Sequence, residues 1–100
     1  MATSAQENGR ERESGRAPVV VAMRKAADQL AELLGIAPDT VSAVEPRGDG
    51  WLAKVEVVEV ERVPDTTSVM ATYRVELDAR GDLVGYERTH RYVRGRTDGR

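Results

Sequence analysis

Residues 68–85 read SVMATYRVELDARGDLVG, and this stretch decides the fold. Val69, Ala71, Tyr73, Val75 and Leu77 alternate with Met70, Thr72, Arg74 and Glu76, the period of two that marks a half-buried strand over Ser68–Asp78. Asp78-Ala79-Arg80-Gly81 has the form of a type I turn closed by a glycine bulge, which sets Asp78 opposite Asp82. Counting outward from that turn, Leu77 meets Leu83, Arg74 meets Tyr86, Thr72 meets Arg88 and Met70 meets His90. An inner face then carries Val69, Ala71, Tyr73, Val75, Leu77, Leu83 and Gly85. An outer face carries Met70, Arg74, Val84, Tyr86, Arg88, His90 and Tyr92.

Upstream, Pro64 cannot donate to a sheet ladder and separates this strand from an earlier one, Trp51–Arg62. Trp51, Ala53, Val55 and Val57 are odd whereas Val58 and Val60 are even, so a bulge at Val57-Val58 is expected to restore one apolar face. That arrangement sends Lys54, Glu56, Glu59 and Glu61 to the other side. Pro46 to Gly50 reads as a loop, and Val41–Glu45 as a short strand before it.

Before that the period is 3.6. Val19, Met23, Ala26, Ala27, Leu30, Leu33 and Leu34 recur at helical spacing, with Arg24, Lys25, Asp28, Gln29 and Glu32 largely opposite and Val21 among the polar positions. Pro18 suits the first turn, Gly35 a left-handed cap, and Pro38 bars continuation, giving a helix over Pro18–Leu34. Residues 1–17 have no large aliphatic side chain beyond Met1 and read as a disordered tail. Residues 95–100 read as a second, Arg-rich one. The expectation is an α+β domain over 18–94: one N-terminal helix packed on a four-stranded antiparallel β-meander.

One hundred residues leave room for a single core, and with no cysteine neither a disulfide nor a thiolate metal site can support it. No run approaches the length of a membrane span, and residues 1–16 lack the apolar centre of a signal peptide, so the chain reads as cytosolic. Charge is uneven along it. Tyr86 to Arg100 holds five arginines against one glutamate and one aspartate, a net of +3, which leaves −5 for the rest of a chain whose total is −2. A basic end on an acidic body suits charge-complementary contacts with a partner or between copies.

Nothing in the pattern assembles a catalytic site. His90 is the sole histidine and lacks a positioned partner, and Glu56 with Glu59 lacks a pocket-forming loop or metal-ligand spacing. Ion pairing of these carboxylates with Arg74 or Arg88 is the plainer reading. Arg47-Gly48-Asp49 is hairpin-loop chemistry, and Gly15-Arg16-Ala17-Pro18 lacks the spacing of a phosphate loop. The chain therefore reads as a non-enzymatic protein without cofactor or metal. Tyr86, Arg88, Arg91, Tyr92 and Arg94, with Glu56 and Glu59, compose a candidate contact surface of aromatic anchors and charges. The competing reading is a small nucleic-acid-binding or regulatory module, since tyrosines interleaved with arginines can stack bases and neutralise phosphates. The acidity of the body opposes it.

The runs Gly50-Trp51, Val55-Glu56-Val57-Val58-Glu59, Arg62-Val63-Pro64, Ala71-Thr72-Tyr73-Arg74-Val75, Gly81-Asp82-Leu83, Gly85-Tyr86-Glu87-Arg88 and Arg91-Tyr92-Val93-Arg94 resemble, in this order, the gas vesicle synthesis protein O family, GvpO. The resemblance implies an accessory role in forming protein-shelled, gas-filled compartments that confer buoyancy. It implies contacts with other gas vesicle accessory and shell proteins and no enzymatic activity; joined to the cytosolic reading above, the expected place is the cytoplasm, with association to the gas vesicle as an open alternative. Self-association through sheet edges is a further expectation, because Val41–Glu45 is short and the last strand is a candidate edge.

Overall fold

The computed structural model describes residues 15–95. It contains α1 (Val19–Leu34), β1 (Pro38–Arg47), β2 (Gly50–Val60), a short 3-10 turn (Asp65–Thr67), β3 (Val69–Leu77) and β4 (Leu83–Val93). The sheet is antiparallel in the order β1-β2-β3-β4, a meander with α1 on one face. This is the expected α+β architecture. Residues 1–14 and 96–100, most of the two expected tails, lie outside the described residues.

The helix starts after Pro18 and ends at Gly35, whose φ of 71° is the left-handed cap and whose N–H donates to Ala31 O at 2.8 Å. It buries Ala22, Ala26 and Leu30 against Trp51, Ala53, Val55, Val57, Ala71, Val75 and Leu77. With no phenylalanine in the chain, the core is built largely of valine and alanine, with Leu30, Leu77 and Trp51 as its bulkier members. Lys25 and Gln29 hold the helix to the β3–β4 turn. Lys25 Nζ lies 3.1 Å from Asp82 Oδ1, while Gln29 donates to Gly81 O at 2.8 Å and accepts from Leu83 N–H at 2.9 Å.

That turn has the expected form. Asp78 N–H donates to Asp82 O, Gly81 N–H to Asp78 O, and Gly81 adopts φ 92°. The Asp78 carboxylate accepts from the N–H groups of Asp82 and Arg80, bonds that hold it below its ordinary pKa, Asp82 foremost.

The strands differ from the sequence reading at three places. β1 is twice as long as expected and includes Pro38 and Pro46, which an edge strand tolerates because one side of its ladder is unused. The β2 bulge falls between Val58 and Val60, leaving Glu59 as the extra residue instead of one at Val57-Val58. β4 carries two bulges, at Val84 and Thr89, where none was expected. Leu77 does meet Leu83, but beyond it Val75 faces Tyr86, Arg74 faces Glu87, Tyr73 faces Arg88, Thr72 faces His90 and Met70 faces Tyr92. Each bulge turns the following side chains over and sharpens the strand's twist.

At the end of the sheet away from the β3–β4 turn, its two edges come together. Arg94, just beyond β4, reaches Asp39 on β1 at 3.2 Å, so residues from opposite edges of the sheet meet. Its Nε lies 3.3 Å from Asp65 Oδ2, an ion contact without hydrogen-bond alignment. Met70, on the face away from the helix, is consequently only 2 % exposed. Buried Ser68 closes this end, accepting from Arg62 N–H through its hydroxyl and from Arg94 N–H through its carbonyl.

Candidate functional site

The seven residues of the candidate contact surface do not share one face. Because Val84 is bulged out, Tyr86 lies across from Val75, on the helix side of the sheet, with its ring 6.2 Å from that of Tyr73. Arg88 and Arg91 lie across from Tyr73 and Ala71 on the same side. Glu59 joins them there, since the β2 bulge falls on Glu59 itself. Its carboxylate takes Arg88 Nη1 at 3.0 Å on one oxygen and Arg91 Nε at 3.0 Å on the other, and its side chain is 14 % exposed. The hydrogen bond and the charge of Glu59 raise the pKa of Arg88 further. The placement of Tyr86, Arg88 and Glu59 on the outer face is thus corrected, and Gly85 moves to the outer face in exchange.

Glu56 and Tyr92 keep the outer face, where they form a second constellation. Glu56 accepts three hydroxyl hydrogen bonds of 2.7 Å: from Ser42 on β1, Thr72 on β3 and Tyr92 on β4. One carboxylate therefore ties all four strands together across the sheet. Burial pushes the Glu56 pKa upward, but the hydroxyls of Thr72, Ser42 and Tyr92 and the charge of nearby His90 outweigh it, holding it below its ordinary 4.5. Burial, the bond to Glu56 and the carboxylate's charge push the Tyr92 phenol up to about 12. His90 stacks on the Tyr92 ring at 5.6 Å. The seventh residue, Arg94, forms the edge-to-edge tie described above.

The linkage has a definite sign. The folded state keeps the Tyr92 proton above pH 10, where the unfolded chain releases it, so stability falls as pH rises from about 10 to 12. On the acid side the Glu56 contribution is present above 4.5 and is lost as pH falls through its depressed folded value. Urea titrations at pH 8 and pH 11.5 are expected to show a smaller loss of stability for Tyr92→Phe than for the wild type. An equal loss would mean that the Tyr92–Glu56 bond is not formed in solution.

Ser42 and Thr72 carried no signal in the sequence, because an isolated hydroxyl on a strand has no spacing that marks a partner. Asp39 and Asp65 were likewise hidden, each being one carboxylate among many. Among the described residues no group of three or more His, Asp or Glu side chains is placed to hold a metal ion, and no helix is long and apolar enough to cross a membrane.

The fold and this site define a small α+β domain in which a Tyr- and Arg-bearing edge strand is positioned by carboxylates of the neighbouring strands. The chain belongs to the GvpO family: the family model described as gas vesicle synthesis protein GvpO matches residues 5–98. It is 50% identical over 97 residues to "Gas vesicle protein O" of Streptomyces sp. (strain CB03234), covering 97% of this chain and 75% of that protein. It is 40% identical over 72 residues to "Gas vesicle protein O" of Haloferax mediterranei, covering 71% of this chain and 51% of that one. To "Gas vesicle protein O1" of Halobacterium salinarum it is 38% identical over 74 residues, 74% of this chain and 62% of the relative. The chain thus spans about half to three quarters of the length of these relatives. No solved structure matches it. Membership supports a role in gas vesicle formation.

Proposed function

We propose that the protein is a non-enzymatic assembly factor for gas vesicles, acting in the cytoplasm through direct contacts with other gas vesicle accessory and shell proteins. The observation that carries this reading is the helix-side patch on β4. Tyr86 is 46 % exposed, and Arg88 beside it is held at one angle by a largely covered carboxylate. An exposed tyrosine next to a pre-oriented guanidinium loses little freedom when a partner arrives, which favours binding. The nucleic-acid reading gains no support from this arrangement, since Arg88 and Arg91 face Glu59, and Arg94 faces Asp39 and Asp65.

Replacing Tyr86 and Arg88 together by alanine is expected to abolish co-purification of the other gas vesicle proteins, identified by mass spectrometry, while leaving the circular dichroism spectrum unchanged. Undiminished recovery would remove this patch from the docking surface.

A further inference from the structure

α1 buries two alanines and one leucine and leaves several larger apolar side chains exposed. Ala22 and Ala26 sit in the core beside Leu30, whereas Val20 is 58 % and Met23 is 38 % exposed. At 100° per residue, Val20, Met23, Ala27, Ala31 and Leu34 fall on one strip about 80° wide, flanking the buried arc. Lys25 and Gln29, on the other flank, are occupied by the β3–β4 turn. The strip therefore faces away from that turn, on the β1 side of the helix.

Its spacing is symmetric about Ala27, with Met23 and Ala31 four residues away on either side and Val20 and Leu34 seven. An apolar strip with this symmetry is self-complementary when two helices run antiparallel across a two-fold axis. Ala27, half-buried, then meets its own copy, Met23 packs against the small Ala31, and Val20 reaches the part of Leu34 left open where the rest of that side chain packs on the protein's own core. The charges beside it are centred one residue away, on Ala26. Arg24 and Asp28 border the strip on one edge, and neither enters an ion pair among the described residues. In the antiparallel arrangement Arg24 of each copy comes alongside Asp28 of the other, offset by about 3 Å along the axis, two residues of helical rise.

We infer that a second copy of this chain docks on α1, forming a two-fold dimer through antiparallel helices centred on Ala27. A parallel pairing would put Arg24 and Asp28 of the two copies on opposite sides of the seam, so only the antiparallel arrangement brings these charges together. A helix strip of this length is a small interface, below the roughly 1,200 Å² of total burial typical of stable complexes, so the dimer dissociates on dilution. It does not involve the β4 patch, and it stands or falls independently of the docking role assigned there.

The absence of cysteine permits a direct test. Ala27→Cys is expected to form a disulfide-linked dimer under mild oxidation, because a bridge needs Cα atoms within about 7 Å of each other. Leu33→Cys, exposed but outside the strip, is the control and should form far less. In sedimentation equilibrium, Arg24→Asp alone should raise the dissociation constant about tenfold by setting like charges together. Combining Arg24→Asp with Asp28→Arg should restore it. Equal crosslinking at both cysteines, a wild type that stays monomeric at every concentration, or a dimer indifferent to Met23→Glu would each overturn the proposal. Loss of other gas vesicle proteins from Met23→Glu, with the wild type monomeric, would assign the strip to a different partner.

Discussion

Trp51→Ala is expected to lower the unfolding free energy by about 3–5 kcal/mol, the range for deleting a buried aromatic side chain. Trp51 is 9 % exposed and closes the core at the hairpin end of the sheet. It also anchors the chain that leads into α1. Its indole N–H donates to Ala17 O at 3.0 Å, and the Arg16 guanidinium lies over the ring, 5.4 Å from the centroid. Arg16 continues to Gly48 O in the β1–β2 loop at 3.0 Å, while Ala17 N–H reaches Ala79 O in the β3–β4 turn at 2.7 Å. Residues 16 and 17 therefore strap both hairpins together, with the indole as the central fixture. Trp51→Phe separates the two contributions: it keeps most of the apolar area but leaves Ala17 O without its donor, a cost of about 1–2 kcal/mol. Since this is the only tryptophan, unfolding has to be followed by circular dichroism. If Trp51→Phe costs as much as Trp51→Ala, the strap outweighs the packing.

The elements with strong apolar periodicity were legible in the sequence, and the others were not, for a common reason. The helix was fixed by its 3.6 repeat between Pro18 and Gly35, and β3 by its strict alternation up to the Asp78–Gly81 turn. Register in a strand is specified only where one face is apolar, and a slip of one residue exchanges the faces. β4 reads LVGYERTHRYV, with polar or aromatic side chains on both faces, so neither of its bulges leaves a trace in the pattern. Extrapolation from the turn is correct at Leu83 and reverses at Val84. The reversal carries Tyr86 and Arg88 to the helix side, and the second bulge returns His90 and Tyr92 to the outer side. The candidate residues therefore divide between two faces, a division that the unmarked bulges hide from the pattern. The strap was hidden differently: Arg16 and Ala17 belong by composition to a tail, and only contacts distant in sequence give them a place.

Gly50→Ala is the second change expected to be severe, and competing magnitudes decide its sign. At a tolerant site, replacing glycine by alanine stabilises by about 0.4–1 kcal/mol, because the unfolded chain loses freedom. Gly50 is buried at the start of β2, across from Arg47, where the end of β3 crosses directly over it. A Cβ here would collide with the Leu77 carbonyl oxygen and stand 2.6 Å from the Asp78 carbonyl carbon, both backbone atoms that no rotamer change can move. Relief requires shifting β2 against β3 beside Trp51 and Leu77, both buried, or opening the Asp78 turn that receives Gln29 and Lys25 through Gly81 and Asp82. Overpacking that moves backbone costs about 1–3 kcal/mol and occasionally more, which exceeds the entropic gain. A net loss of about 2–3 kcal/mol is expected in urea denaturation, with accelerated amide exchange at Leu77 and Leu83. A variant as stable as the wild type would mean that β2 and β3 lie farther apart at Gly50 in solution, and the strap across the two hairpins would then lack its platform.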